Sequence, residues 1–140
     1  YESKQELIQD FRETSYLIHT HKKGPRQEII IKVGEENHDL NRFLHEKGIS
    51  KWAFITAYNP MGRQVSDSAN QQAMESLESD LRNRFRRPGV GLSQDGKWSE
   101  PSFFVGNIER ADAIQLMKKY DQLAIVFGER DQIAELLFDT

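Results

Sequence analysis

The sequence predicts an α/β (α+β) domain in which a mixed β-sheet of about five to six strands, partly joined as β-hairpins, is flanked by about five helices. Segments with apolar residues at helical spacing are interspersed with short β-branched and aromatic runs. The pair Asp95-Gly96 lies between two short extended runs, which is typical of a hairpin. The chain contains no linker, low-complexity tract or repeat, so we expect one domain over residues 1–140.

The N-terminal part predicts a helix followed by a hairpin. Residues 3–13 place their apolar side chains on one helical face, and residues 14–20 alternate as a strand does. The three consecutive isoleucines in residues 28–33 predict a second strand that is buried on both faces. The glycine and proline in residues 22–25 predict the loop of an antiparallel hairpin between the two strands.

The middle of the chain predicts a helix and then a buried strand. Asn37 is suited to cap the helix, and Gly48 is suited to end it. Residues 52–58 are the strongest strand pattern in the sequence. Asn59-Pro60 ends this strand, because proline restricts the residue before it and has no N–H to donate to a sheet.

The next segment predicts a long helix. Ser68, with Gln71 three residues on, has the spacing of a capping box. Apolar residues at steps of three and four continue the helix to about Arg86, before a proline and a glycine stop it. We therefore expect the arginine-rich run of residues 82–87 to lie at the end of this helix.

The last third predicts two further strands, each followed by a helix. Residues 102–108 and residues 123–128 are apolar strand patterns. Asn107 is suited to cap the helix after the first strand, and Asp131 is suited to cap a closing helix after the second.

Composition excludes several classes of function. The net charge of −3 argues against a protein dominated by contacts with nucleic-acid phosphates. No apolar run approaches the ~18 residues that span a bilayer, so we expect no membrane span and a cytoplasmic protein. The absence of cysteine excludes disulfides, thiol nucleophiles and cysteine-ligated zinc. Because the chain begins at Tyr1, we expect that it has been trimmed and that a removed upstream segment would not be visible.

The candidate ligand site is the junction between the strand of residues 52–58 and the helix that follows it. A buried strand that leads into a polar loop and a helix start brings unpaired backbone N–H groups together, and these attract anions. Ligands of open α/β sheets usually lie beyond the carboxyl ends of strands. Thr56 and Asn59 lie at this strand end, and Arg63 in the loop is placed to pair with a phosphate or carboxylate. No glycine-rich phosphate motif accompanies them.

Asn70 lies on the apolar stripe of the same helix, one turn from its start. A half-buried amide needs hydrogen-bond partners, because leaving it unpaired costs ~1–3 kcal/mol. Three interpretations stay open. Asn70 pins the loop as part of a structural network, or Asn59 and Asn70 present their amides to a ligand, or Asn70 faces water.

Glu100 and Gln122 are polar residues at the start of further strands. Glu100 is the one candidate general base, since a carboxyl group in a partly buried cleft has a raised pKa. The alternative is that it accepts hydrogen bonds within a loop. Gln122 is either a ligand contact or an amide that satisfies backbone groups. The candidate catalytic residue is therefore Glu100, and the candidate ligand-binding residues are Thr56, Asn59, Arg63, Asn70 and Gln122.

The histidine and arginine patterns are weaker signals. His19 and His21 would share one face of a strand, but no third ligand is specified, so we predict no metal site. The arginines of residues 82–87 are typical of a helix C-terminus, where the helix dipole favours cations. The alternative is contact with RNA, with an acidic partner or with a phosphate.

Several stretches together resemble a bacterial family of unknown function, whose members are small single domains with an Ile-Thr-Ala-aromatic-Asn-Pro stretch. The similar stretches are Thr14-x-Tyr16, WAFITAYNP at 52–60, Asn70, EPSFFV at 100–105 and Gln122-x-Ala124-Ile125. The similarity runs from about Thr14 to Gly128. The family has no established activity, so the resemblance implies no reaction and no cofactor. It does imply that the polar positions lie together, namely Thr56, Asn59, Asn70, Glu100 and Gln122.

Two functions fit these features. The first is a small-molecule site, for a nucleotide or other phosphorylated metabolite, at the strand–loop–helix junction of residues 56–70, with or without turnover. It predicts a pocket in which Asn59, Asn70 and Glu100 converge within about 8 Å. The second is a non-catalytic protein-interaction or regulatory module that uses the arginine-rich helix end or a sheet edge, with exposed aromatics such as Trp98. The sequence names neither ligand, cofactor, partner nor oligomeric state.

Overall fold

The structure is a computed structural model that describes residues 3–19 and 28–138. Within these residues it contains four α-helices, seven β-strands and one short 3₁₀ turn. In chain order they are α1 (Lys4–Glu13), β1 (Ser15–His19), β2 (Glu28–Ile31), α2 (His38–Lys47), β3 (Lys51–Ile55), the 3₁₀ turn (Pro60–Gly62), α3 (Asp67–Asp80), β4 (Phe85–Leu92), β5 (Ser99–Gly106), α4 (Arg110–Lys119), β6 (Ala124–Glu129) and β7 (Glu135–Phe138).

The strands form one sheet in the order β2-β1-β4-β5-β3-β6-β7. Every neighbouring pair among the described strands is antiparallel, as the hairpins led us to expect for part of the sheet. The predicted α+β class is confirmed. The predicted counts are slightly off, because the described residues hold seven strands and four helices and the sheet is antiparallel rather than mixed.

The two faces of the sheet carry separate cores, because successive side chains of a strand point to opposite faces. One face packs against α1 and α2, and the other packs against α3 and α4. The core of the first face includes Tyr16, Ile18, Trp52, Phe54, Phe104 and the α2 residues Leu40, Phe43 and Leu44. The core of the second face includes Ala53, Ile55, Val105, Ile125, Phe127 and the helix residues Leu77, Ala113 and Met117.

Local signals define α2 as predicted. The Asn37 side chain accepts a hydrogen bond from the Leu40 backbone N–H at 2.9 Å. Gly48 ends the helix in the left-handed region with φ 68°, which glycine adopts without steric cost. The hairpin between β4 and β5 is also confirmed, and Gly96 in its loop has φ 73°.

The prediction of a helix from Ser68 to about Arg86 is wrong at both ends. The N-cap is Ser66, whose hydroxyl accepts from the Ala69 backbone N–H at 3.1 Å. The helix ends at Asp80, and the arginine-rich run enters strand β4 instead of a helix end. Strand β4 lies between β1 and β5 and gains ladder hydrogen bonds on both sides, and this pairing overrides the helical spacing that Phe85 shares with the apolar residues of α3.

The predicted closing helix is also wrong. Asp131 lies in a turn with φ 66°, and the apolar residues after it form β7, which pairs with β6. Asn107 is not a helix cap, since α4 begins after Glu109 and the Asn107 side chain accepts from the Ser50 backbone N–H at 3.2 Å. Strand β3 ends at Ile55 rather than at residue 58.

The second strand is buried on one face only. Ile29 and Ile31 are buried, whereas Ile30 is 54% exposed. The reason is that β2 is an edge strand with a helix over one of its faces. The antiparallel hairpin of β1 and β2 is confirmed, and its predicted loop over residues 22–25 lies outside the described residues.

Candidate functional site

A cavity of about 450 Å³ lies at one end of the sheet, between the sheet and helix α1. Leu7, Asp10 and Phe11 of α1 line one side of the cavity. The opposite side is formed where β1, β4 and β5 meet the end of β3 and the start of β6. Tyr58 and Asn59, in the loop after β3, close one end.

A row of three residues across the sheet explains why the cavity is open here. Tyr16 of β1 pairs with Gly91 of β4, and Gly91 pairs with Glu100 of β5. The heavy atoms nearest to a Cβ atom added at Gly91 would be ring atoms of Tyr16 and the methyl group of Thr14, at 3.7–3.8 Å. The glycine therefore leaves free space between a tyrosine and a glutamate.

Glu100 is half-buried on the cavity wall. Burial raises the pKa of its carboxyl group from 4.5 to about 7, and the Thr56 hydroxyl acts in the opposite direction. Glu100 makes no ion pair among the described residues. Its carboxyl group therefore titrates near neutral pH with no cation of the described chain to stabilise the charged form.

The Thr56 side chain links the end of β3 to strand β5 by a hydrogen bond. Its hydroxyl donates to the Pro101 carbonyl at 2.7 Å and accepts from the Tyr58 backbone N–H at 3.0 Å. In addition, the Ser102 hydroxyl donates to the Glu100 carbonyl at 3.1 Å. These hydrogen bonds hold the backbone directly after the Cα atom of Glu100.

Asn59 and Asn70 bind each other. The Asn59 backbone N–H donates to Asn70 Oδ1 at 2.8 Å, and Asn70 Nδ2 donates to Asn59 Oδ1 at 2.9 Å. Asn59 lies in the left-handed region with φ 45° and ψ 66°, which asparagine tolerates better than most residues. Asn70 is only 2% exposed and does not line the cavity, whereas Asn59 does. Asn70 thus holds the loop through Asn59 without reaching the cavity itself.

Gln122 lines the cavity directly before β6 and is 8% exposed. Its Nε2 donates to the Tyr58 carbonyl at 3.1 Å and to the Tyr120 carbonyl at 3.2 Å. Both side-chain N–H groups are then used, which fixes the orientation of the amide. No hydrogen bond among the described residues uses its Oε1, so this acceptor is available.

The cationic candidates lie away from the cavity. Arg63 is exposed and does not line it. The start of α3 is capped by Ser66, and none of its first residues lines the cavity. Arg84 forms an ion pair with Asp112 at 3.3 Å, and Arg86 forms one with Glu78 at 3.9 Å.

The described residues contain no group of three or more metal-binding side chains that could hold a metal ion. His19 faces Glu28 at 3.8 Å, and His21 lies outside the described residues. None of the described helices has the length and apolar character that would let it cross a membrane.

Comparison with known proteins identifies the family. Residues 55–125 match a family described as "Protein of unknown function (DUF3293)", and this segment is just over half of the chain. The chain belongs to the DUF3293 family. The resemblance to a family of unknown function is thereby confirmed. No curated protein and no solved structure matches the chain.

The segment that matches DUF3293 contains all six candidate site residues, but it leaves out α1 and β1. Sequence reasoning missed the contributions of these elements to the cavity, chiefly Asp10, Phe11 and Tyr16. Tyr16 carried a signal, since it lies in a predicted strand and in one of the stretches that resemble the family. Phe11 belongs to the apolar face of the predicted first helix and Asp10 carried no signal, but nothing local in the sequence shows which part of the sheet α1 covers.

Proposed function

We propose that this DUF3293 protein binds a small organic molecule in the cavity beside α1, and that Glu100 is its main polar contact. The single observation that carries the proposal is the Glu100 carboxyl group, half-buried on the cavity wall and without an ion-pair partner among the described residues. Burying an unpaired carboxyl group costs stability. Such groups in a concave pocket are typical of binding and catalytic sites.

The other candidate residues have distinct roles in this proposal. Gln122 adds a polar contact to the bound molecule through its Oε1, and Thr56 fixes the backbone next to Glu100. Asn59 shapes the loop that closes the cavity, and Asn70 positions Asn59 from behind. A carboxyl group that titrates near neutral pH can both donate and accept a proton, so any turnover of the bound molecule would run through Glu100.

The surroundings of the cavity favour a ligand without phosphate. No Lys, Arg or His is among the described residues that line it, and both Arg63 and the start of α3 lie outside the lining. A phosphate there would face Glu100 with no counter-charge. The cavity therefore suits a nucleotide or other phosphorylated metabolite, as the sequence predicts, less well than a ligand without phosphate.

A thermal-shift screen with a metabolite library tests the proposal. A ligand at ~100 times its dissociation constant adds about 2.7 kcal/mol to the free energy of unfolding, which raises the Tm by several degrees. The screen compares the wild type with Gly91→Leu, whose side chain extends into the cavity. Val90→Leu is the matched control, because the side chain of Val90, which directly precedes Gly91 in the strand, points to the opposite face of the sheet.

We expect compounds that stabilise the wild type and Val90→Leu but not Gly91→Leu. Compounds that stabilise all three proteins equally would bind elsewhere and contradict the proposal. A library without any stabilising compound would contradict it as well.

The second candidate, a protein-interaction module, is favoured by one observation. Ile30 is 54% exposed on the edge strand β2, where the backbone of another strand can pair. If this edge is used, Ile30→Lys abolishes self-association or partner binding in sedimentation experiments. If the wild type and Ile30→Lys sediment alike, this edge of the sheet is not an interface.

A further inference from the structure

The charged groups around the cavity are of one sign. Asp10 and Glu100 are acidic, and none of the described lining residues is basic. Asp10 is exposed on α1, and Glu100 is half-buried on the sheet side. An anionic ligand would be repelled by both carboxylates, whereas a cation would be attracted by both, most strongly where water is excluded.

Aromatic rings form much of the remaining wall. Phe11 and Tyr16 are stacked with ring centroids 6.3 Å apart, and Tyr16 meets Phe54 edge to face at 5.1 Å. Tyr58 and Trp98 add two further rings to the lining. Aromatic rings attract cations to their faces and pack well against planar apolar groups.

We infer that the ligand is an organic cation, an amine, guanidine or amidine joined to an apolar or planar group, whose charge lies against the Glu100 carboxylate. This inference rests on the proposed function and adds the ligand's chemical class. The cation supplies the partner that the carboxylate lacks in the described chain. The cavity of about 450 Å³ also has room for a ring beside the charged group.

Gln122 supports the same class independently. Its two side-chain N–H groups are used by the carbonyls of Tyr58 and Tyr120, so it can offer a ligand only its Oε1 acceptor. The Glu100 carboxylate is also only an acceptor when it is ionised. Two acceptors in one cavity suit a ligand with several N–H donors, as an amidine or a guanidine has.

The inference couples binding to protonation. The pKa of free Glu100 is about 7 because of burial, so most of the carboxyl groups are neutral at pH 6. A bound cation favours the ionised form, and binding below pH 7 therefore releases a proton. The affinity then rises by up to about tenfold per pH unit as the pH approaches 7, and it levels off above pH 7.

Three probes of nearly equal size and shape test the charge of the ligand: benzamidine (cation), benzamide (neutral) and benzoate (anion). Their dissociation constants are measured by NMR titration of the full chain between pH 5.5 and pH 8. We expect benzamidine to bind the wild type at least tenfold more tightly than the other two at pH 8. We also expect Glu100→Gln to remove both this preference and the pH dependence.

Glu36→Gln is the matched control, since Glu36 is exposed and does not line the cavity. It should keep the wild-type preference and pH profile. Equal binding of benzamide and benzamidine, or tighter binding of benzoate, overturns the inference but leaves the proposed function in place. If none of the three probes binds, the metabolite screen decides. Stabilising compounds that carry no positive charge overturn the inference. A screen without any stabilising compound overturns the proposed function itself.

Discussion

The sheet face under α1 and α2 is packed at one end and hollow at the other. At the packed end, under α2, the Phe104 ring lies 5.6 Å from that of Trp52 and 5.9 Å from that of Phe43, measured between centroids. A Cβ atom at Gly128 would lie 2.5 Å from the Trp52 indole. At the hollow end, under α1, a Cβ atom at Gly91 meets only ordinary contacts at 3.7–3.8 Å.

This difference separates what folding requires from what it does not. Protein interiors are close-packed, and an empty volume forgoes favourable contacts. The packed end follows this rule, because its aromatic rings are in contact and Gly128 leaves room for the Trp52 indole. The hollow end departs from it, and it also places the half-buried carboxyl group of Glu100 on its wall. The hollow end thus lacks close packing and also holds a carboxyl group that is partly removed from water. We expect function in this region, because neither feature stabilises the fold.

The largest effect distinguishes aromatic residues at the two ends. Phe104→Ala removes a fully buried ring from the packed end, and we expect it to lower the free energy of unfolding by about 3–5 kcal/mol. Trp98→Ala at the hollow end removes a side chain that is 47% exposed, and we expect a loss of less than about 1 kcal/mol. Urea denaturation measures both. A similar loss in the two variants would show that the ends are equally packed.

The next effect concerns Glu100 and has a defined pH dependence. The pKa is about 7 in the folded protein and about 4.5 in the unfolded chain. Between these values the folded protein holds a proton that the unfolded chain has released, so the wild type loses stability as the pH rises from 4.5 to 7 and no more above it. Glu100→Gln lacks this loss.

We therefore expect Glu100→Gln to gain stability relative to the wild type, by up to about 3 kcal/mol between pH 4.5 and pH 8. Urea denaturation at a series of pH values measures the difference. Glu36→Gln serves as the control and should show no such trend. A Glu100→Gln variant that follows the wild type at every pH would mean that the carboxyl group is not desolvated.

The smallest effect compares the two glycines by the same substitution. Gly128→Ala places a methyl group against the Trp52 indole, and such overpacking costs about 1–3 kcal/mol. Gly91→Ala has room, and we expect it to leave stability unchanged or to raise it slightly. The difference between their thermal midpoints measures this contrast. If the two substitutions lowered the thermal midpoint equally, there would be no free space beside Gly91.

The sequence predicts elements well where their signals are local. The helix from Asn37 to Gly48 is bounded by a cap and a left-handed glycine that act within a few residues, and both were identified. The apolar spacing of β7, and of the first residues of β4 up to about Arg86, also fits a helix, so the predictions there are wrong. Their strand character comes from hydrogen-bond pairing, of β4 with β1 and β5 and of β7 with β6, and apolar spacing alone does not encode this pairing.

The candidate site follows the same rule. The contact between Asn59 and Asn70 could be anticipated, because a polar residue on an apolar stripe needs a nearby partner. Of the five positions that the resemblance implied to lie together, Thr56, Asn59, Glu100 and Gln122 line one cavity, and Asn70 does not. Arg63 does not, since its loop directs the preceding and following residues to the cavity instead. The role of α1 depends on tertiary packing that no local pattern encodes.

Binding at the hollow end is tested by an NMR titration of the ¹⁵N-labelled protein with the strongest compound from the thermal-shift screen. We expect backbone amide shifts to change at the hollow end, at Tyr16, Gly91 and Glu100, while those of Trp52 and Gly128 at the packed end stay unchanged. Shift changes confined to the packed end, or to the edge strand β2, would contradict this expectation.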